Sequence, residues 1–161
     1  MKKVTPSNYK KDKLYCPVAR AVHEIMQADH VVRPVEVLMR MQRLSKQDYE
    51  DWRFARIPYL ERVLVGNLSK LNRILRILRI HAESMGLVAS HTEYRKWGKG
   101  KKRIVLRFSK SRDPKIEKAY STHYVARGER KRQADAQPGV GNGSTSPSDR
   151  ERKAANDLFL R

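Results

Sequence analysis

Hydrophobic residues recur every three or four positions through the first half of the chain, which is the spacing that places them on one side of an α-helix. Together with prolines suited to a first helical turn, this pattern predicts helices over 17–28 and 34–43. A third helix is expected near 46–55. Because proline disfavours helix in the residue before it, Pro58 interrupts this helix and opens a short one over 58–65.

The most regular helical pattern covers residues 68–85, between a Gly-Asn turn signal and the stop at Gly86. Its apolar stripe consists of Leu71, Ile74, Leu75, Leu78, Ala82 and Met85. Ile77 and Ile80 lie outside the stripe. We therefore expect these two side chains to pack against a neighbouring helix or against a second subunit.

Two later runs, 87–97 and 103–108, have the residue types typical of β-strands. The loop over 98–102 contains two glycines that can adopt positive φ, so the two runs are predicted to pair as a hairpin. Pro114, preceded by an aspartate suited to capping, then opens a last helix over 114–121. The predicted fold class is mainly α with a C-terminal β-hairpin.

The composition divides the chain into three parts. Residues 1–12 are polar and basic without a period, and are expected to form a flexible basic arm. Residues 13–125 hold nearly all the large apolar side chains and form the predicted domain. Residues 126–161 are rich in Gly, Ser, Pro and charge, so we expect a disordered basic tail with a frayed end. The alternative for the last residues is a short terminal helix or a docking segment.

The charge is the most informative property of the composition. Of 161 residues, 36 are Lys or Arg and 17 are Asp or Glu, which gives a formal net charge of +19. Such an imbalance opposes compaction and favours a polyanionic partner. A single cysteine excludes a disulfide framework, and no apolar run approaches the roughly 20 residues of a membrane helix. We expect no membrane partner and a cytoplasmic location, with the nucleoid if the source is bacterial.

The predicted 68–85 helix has a basic polar side. Its candidate DNA-binding residues are Ser69, Lys70, Asn72, Arg73 and Arg76. No acidic residue occurs between Glu61 and Glu83. Arginine can bind guanine through two hydrogen bonds and asparagine can pair with adenine, whereas serine and lysine hold phosphates. The alternative is an ordinary solvated helix face.

The predicted hairpin is also basic, with no acidic residue between Tyr94 and Arg112. Its candidate contacts to a phosphate backbone or minor groove are Arg95, Lys96, Lys99, Lys101, Lys102 and Arg103. The alternative is an edge hairpin that lysines protect against aggregation. Tyr94 and Trp97 could stack on bases, although packing on the core is the more common role of a hairpin aromatic.

This order of elements resembles a winged helix-turn-helix domain over residues 34–110. The resemblance lies in Gly66-Asn67-Leu68-Ser69-Lys70-Leu71, in Met85-Gly86-Leu87-Val88, and in Trp97-Gly98-Lys99-Gly100-Lys101-Lys102-Arg103. It implies that the 68–85 helix enters the major groove and that the hairpin acts as a wing on the backbone. The short, apolar 58–65 helix departs from the family, which leaves open which earlier helix packs under the recognition helix.

The leading functional hypothesis is a non-enzymatic protein that binds double-stranded DNA, either as a transcription regulator or as a mobile-element accessory factor. An RNA-binding or ribonucleoprotein subunit is the alternative, because basic helices and lysine loops also suit A-form backbones. By analogy with winged-helix proteins, the chain is a candidate homodimer through the helices at 17–28 and 34–43.

The sequence supports an enzyme less strongly than a nucleic-acid-binding protein. The five histidines have no metal-ligand spacing on one element, and no Gly-rich strand-turn-helix motif is present, so no metal and no cofactor are expected. Asp113 and Glu117, with Lys115 and Lys118, resemble a nuclease acid–lysine set. A capped helix explains these four residues more simply.

Overall fold

The computed structural model describes residues 2–100 and 102–128. Its helices are α1 (Tyr15–Ala28), α2 (Pro34–Arg40), α3 (Lys46–Arg53), α4 (Leu68–Ser84) and α5 (Pro114–Ser121), and its strands are β1 (Val31–Val32), β2 (Val88–His91) and β3 (Thr122–Val125). The chain is thus mainly helical with a small antiparallel sheet, which confirms the coarse fold class. In the described residues, no helix is both long enough and apolar enough to cross a membrane.

The helices begin where local signals predict them. Ser45, Asn67 and Asp113 each accept a hydrogen bond on the side chain from a backbone amide of the first turn. These bonds satisfy amides that have no partner inside the helix. Proline occupies the first turn of α2 and α5, where its missing N–H costs nothing.

The predicted helix over 58–65 is wrong, because only a single 3-10 turn, Leu60–Arg62, forms there. The amides of Leu60 and Glu61 donate instead to the carbonyls of Arg107 and Phe108, at 3.2 and 2.9 Å. These bonds tie the turn to a distant segment. The Val65 amide, which a helix would pair with the Glu61 carbonyl, donates to the Arg43 carbonyl at 2.8 Å, and this bond competes with a helix.

The sheet has the strand order β1-β3-β2, and both pairs are antiparallel. Strand β3 lies in the centre, with Val125 paired to Val31 on one side and to Val88 on the other. The sequence pattern predicts no strand at β1 or β3. Each is short, at two and four residues, so the period-2 pattern that identifies a strand is barely expressed.

The predicted pairing of 87–97 with 103–108 is mostly wrong. Strand β2 pairs with β3, and the only bridge between the two predicted runs joins Arg95 to Val105. The later part of the second run is held elsewhere, because the amides of Phe108 and Ser109 donate to the Glu117 carboxylate at 3.0 and 2.7 Å. What remains is a minimal hairpin over 94–106, closed by the bonds Lys96 N to Ile104 O (2.8 Å) and Leu106 N to Tyr94 O (2.7 Å).

The apolar side chains that were candidates for a dimer contact, on α1, α2 and α4, are buried in the core of the same chain. Val22 of α1 and Leu38 of α2 are fully buried, and these two helices pack on each other. Ile77 and Ile80 are also buried, at 0% and 5% exposed. Both isoleucines therefore pack within the chain, and the apolar faces of α1 and α2 are not available to a second subunit.

The N-terminal segment is packed and does not form the predicted flexible arm. Val4 and Tyr9 are 2% and 4% exposed and belong to the core cluster. Residues 2–12, called the strap from here on, thus bury apolar side chains that stabilise their docking. Of the predicted 126–161 tail, all but the first three residues lie outside the described residues.

Candidate nucleic-acid interface

The outer face of α4 carries the predicted reading residues, and the structure divides them into two groups. Ser69, Lys70 and Asn72 are exposed near the N-terminus of the helix. Arg73 and Arg76 turn towards the strap. Among these five side chains, within the described residues, only the two arginines hydrogen-bond to the strap.

Arg73 is the most constrained cation on this face. Its Nε donates to Asp12 Oδ2 at 2.5 Å, a second guanidinium nitrogen completes the ion pair, and a third bond reaches the Lys2 carbonyl at 2.9 Å. The Asp12 side chain is only 8% exposed. Burial by itself raises the pKa of Asp12, but the hydrogen bond and charge of Arg73 outweigh it, so the pKa is lowered and the carboxylate stays ionised at neutral pH.

Two further bonds fasten the strap along α4. Arg76 Nε donates to the Val4 carbonyl at 2.6 Å, and the Tyr9 hydroxyl donates to Ser84 Oγ at 3.1 Å. The strap therefore follows the helix over most of its length. It also places Lys3 beside the polar face of α4, a position that the sequence could not indicate.

A groove of about 760 Å³ lies between α4, α5 and the strap. Its apolar lining includes Leu75, Ala89, Ile116 and Tyr124. Its cationic residues are Lys3, Arg73, Arg76, Arg79, Lys115 and Lys118. The one acid that lines the groove, Glu83, lies 3.5 Å from the Arg79 guanidinium and is therefore neutralised. We call this surface the basic groove.

Lys3, Arg79, Lys115 and Lys118 were not among the predicted site residues. Lys115 and Lys118 lie three positions apart on α5, so the sequence shows that they share a helix face. It gives no sign that this face borders α4. The packing of α5 beside α4, which brings the lysines to the groove, joins segments about forty residues apart.

The minimal hairpin presents the other predicted cations. Lys96, Lys99, Lys102 and Arg103 are exposed, and within the described residues none of them forms an ion pair. Arg95 is different, because its guanidinium pairs with Glu93 at 2.6 Å. Lys101 lies outside the described residues.

The two hairpin aromatics have different environments. Tyr94 is 5% exposed, and its hydroxyl hydrogen-bonds to His123 Nε2 at 2.8 Å, so it is a core residue. Burial lowers the pKa of His123 to about 4, and the positive charge of Arg33 is the second cause of this shift. The ring is therefore neutral at pH 7. Trp97 is 39% exposed and packs on α3 with part of its surface free.

The two acids of the nuclease-like set form structural hydrogen bonds. Asp113 caps α5, and both oxygens of Glu117 accept from the amides of Phe108 and Ser109. Among residues 2–100 and 102–128, no group of three His, Cys, Asp or Glu side chains is placed to hold a metal ion.

Comparison with protein-family models, with curated proteins and with solved structures finds no match to this chain.

Proposed function

We propose that this chain is a non-enzymatic protein that binds double-stranded DNA through the basic groove and the exposed N-terminal half of α4. The observation that carries the proposal is the charge of the groove. Six cations line it. Arg79 is paired with Glu83 and Arg73 with Asp12, so within the described residues four cations keep their charge without an ion pair: Lys3, Arg76, Lys115 and Lys118. Such a surface attracts a polyanion and gains affinity by releasing counterions.

The topology supports a winged helix-turn-helix interpretation. Strand β1 lies between α1 and α2, and the two other strands follow the long helix α4. In that family the wing joins the two strands after the recognition helix. The corresponding connection here is residues 92–121, which contain both the minimal hairpin and α5. The wing of this proposal is therefore larger than the 98–102 loop and includes the lysines of α5.

In this arrangement, Ser69, Lys70 and Asn72 face the major groove, where an asparagine can pair with adenine. Lys115 and Lys118 contact phosphates on one side of α4, and Lys3 of the strap does so on the other. Arg73 and Arg76 hold the strap and act as positioning residues. The hairpin cations extend the positive surface along the backbone.

Duplex DNA is favoured over duplex RNA because of the shape of the reading element. The major groove of B-DNA admits an α-helix, whereas that of A-form RNA is deep and too narrow for side chains to read. The surface here is a helix face bordered by lysines. RNA binding as a ribonucleoprotein subunit is accordingly the alternative outcome of the test.

The proposal is tested by fluorescence anisotropy with duplex DNA and duplex RNA of the same sequence over a salt series. The wild type should prefer DNA. The double variant Lys115→Ala/Lys118→Ala should lower the slope of log K against log salt by about two units, since each lost phosphate contact removes about one. As a control, Arg20→Ala removes one positive charge from the exposed side of α1, outside the groove, and should have little effect on this slope.

Two results would reject the proposal. One is equal or tighter binding to duplex RNA. The other is that the groove variant and Arg20→Ala lose the same binding affinity for each positive charge removed. Such a result would mean that net charge alone drives binding, whatever its position. Regulator and accessory roles are then separated by selecting the bound sequence from a random pool.

A further inference from the structure

A second surface with aromatic character lies where the hairpin meets α3. Trp97 and Phe54 are 39% and 38% exposed, and their ring centroids are 5.7 Å apart. Exposed apolar side chains grouped in this way mark a binding site more often than isolated ones do. We call these two residues the aromatic patch.

The Trp97 ring is fixed in place before any ligand arrives. Its backbone amide donates to the Arg53 carbonyl at 2.7 Å. The Arg53 guanidinium lies 4.6 Å from the ring centroid, and the Tyr49 ring meets Trp97 edge-on at 5.8 Å. A ring held by three contacts loses little freedom on binding, so more of the stacking energy appears as affinity.

Cations surround the aromatic patch. Lys96, Lys99, Lys102 and Arg103 come from the hairpin, and the Arg56 guanidinium lies 5.0 Å from the Phe54 ring centroid. The acids closest in sequence are already paired, Glu93 with Arg95 and Asp51 with Arg56. The exposed aromatic rings therefore lie beside hairpin cations that form no ion pair within the described residues.

We propose that the aromatic patch binds single-stranded nucleic acid, with unpaired bases stacked on Trp97 and Phe54 and phosphates held by the hairpin cations. Aromatic rings in a cationic surface are the common means of binding single strands, because every base has a face that can stack. Duplex DNA keeps its base faces stacked inside the helix and cannot use these rings. An apolar protein partner would not need the cations.

The patch and the basic groove share no residue. The hairpin cations serve both proposed surfaces, but stacking on Trp97 and Phe54 does not depend on duplex binding in the groove. Together, the two surfaces suit a nucleic acid in which a duplex adjoins an unpaired strand.

Tryptophan fluorescence gives a direct test, because the chain has two tryptophans and Trp52 is fully buried. A thymidine oligonucleotide of about 12 residues, within the usual site size, should quench Trp97 emission. An oligonucleotide of the same length with abasic sites in place of the bases should bind about tenfold more weakly, since it retains the phosphate contacts but has no base to stack on the rings.

Three variants complete the test. Trp97→Leu should lose the quenching and about tenfold in affinity, whereas Trp97→Phe should retain most of the affinity. Phe54→Ala keeps the fluorescence of Trp97 as the reporter and should weaken binding. Circular dichroism checks that each variant folds. Val65→Ala, which shortens an exposed apolar side chain outside the patch and outside α4, should change nothing.

Equal affinity for the thymidine and abasic strands would overturn the proposal, because phosphate contacts alone would then explain binding. Unchanged affinity in both Trp97→Leu and Phe54→Ala would also overturn it. The groove variant Lys115→Ala/Lys118→Ala should keep the quenching by single strands. Loss of quenching in that variant would show that the patch is not a separate site, whereas loss of duplex binding alone leaves the inference intact.

Discussion

The guanidinium group of Arg73 forms an ion pair with the carboxylate of Asp12, and the side chains of these residues are 23% and 8% exposed. The pair joins the strap to the helix that the sequence suggests as a reading element. Arg73, which the sequence suggests as a contact to DNA bases, thus binds the strap of the same chain. This relationship changes what substitutions on α4 should do.

Asp12→Asn should loosen the strap. Removing the charge weakens a charge-assisted hydrogen bond that lies mostly out of water, at a cost of about 2 kcal/mol in the free energy of unfolding. Urea denaturation measures the loss, and hydrogen exchange should show faster exchange of the amides in residues 2–12. Unchanged exchange would mean that Val4 and Tyr9 hold the strap without the ion pair.

The same ion pair predicts the pH range in which the strap detaches from α4. Because the pKa of Asp12 is lowered in the folded state, its contribution to stability is complete above the unfolded pKa of 3.8 and is lost as the pH falls through the folded value. Strap amides should therefore stay protected at pH 5 and become exposed only below pH 3.8. Release of the strap near pH 6 would contradict this assignment.

Asp12→Asn also distinguishes two roles for Arg73 in DNA binding. If Arg73 positions the strap, the variant should weaken duplex binding, although it makes the protein more positive. If Arg73 contacts DNA directly, freeing it from Asp12 should strengthen binding. Anisotropy titrations of Asp12→Asn and Arg73→Ala against one duplex give the answer, and we expect both to bind more weakly than the wild type.

Asn67 caps α4, since its Oδ1 accepts from the Lys70 amide at 2.8 Å. Asn67→Ala should cost about 1 kcal/mol in the free energy of unfolding, because this amide loses its partner. Asn67→Asp retains an acceptor and should be nearly neutral. Chemical denaturation of both variants checks the cap, and equal losses in the two would show that the amide side chain has another role.

Glu117 fixes the 108–109 segment to α5 and has no catalytic role in our interpretation. Its carboxylate also accepts from the Ser109 hydroxyl at 2.5 Å, and Ser109 is fully buried. Glu117→Ala should destabilise the fold by about 2–3 kcal/mol by leaving buried donors unpaired. The wild type should not cleave plasmid DNA with Mg²⁺, and cleavage that Glu117→Ala abolished without loss of stability would restore the nuclease reading.

His123 should make stability fall as the pH drops below about 6.5. Its folded pKa is lowered to about 4, mainly by burial, with Arg33 and His91 adding to the effect. The unfolded state takes up the proton first, so about 3 kcal/mol at most is lost between pH 6.5 and 4. Urea denaturation at several pH values should show a smaller loss in His123→Gln, whose side chain does not titrate.

Several features of the fold are readable from the sequence because they depend on neighbours along the chain. Caps and first-turn prolines place α5 at residues 114–121 as predicted, and α4 ends one residue before the predicted 85. The basic character of the α4 face also follows from the sequence, since helical geometry fixes which side chains share a side.

The tertiary structure alone decided which surface these elements build. Strand β2 could pair with either of two later segments, and the choice of β3 depends on packing that no local pattern contains. Likewise, residues 2–12 are polar enough to suggest a free arm, yet two buried side chains and Arg73 dock them on α4. Long-range contacts compete in this way with local preference, so the sequence determined the helices and the charge, and the fold determined where that charge is gathered.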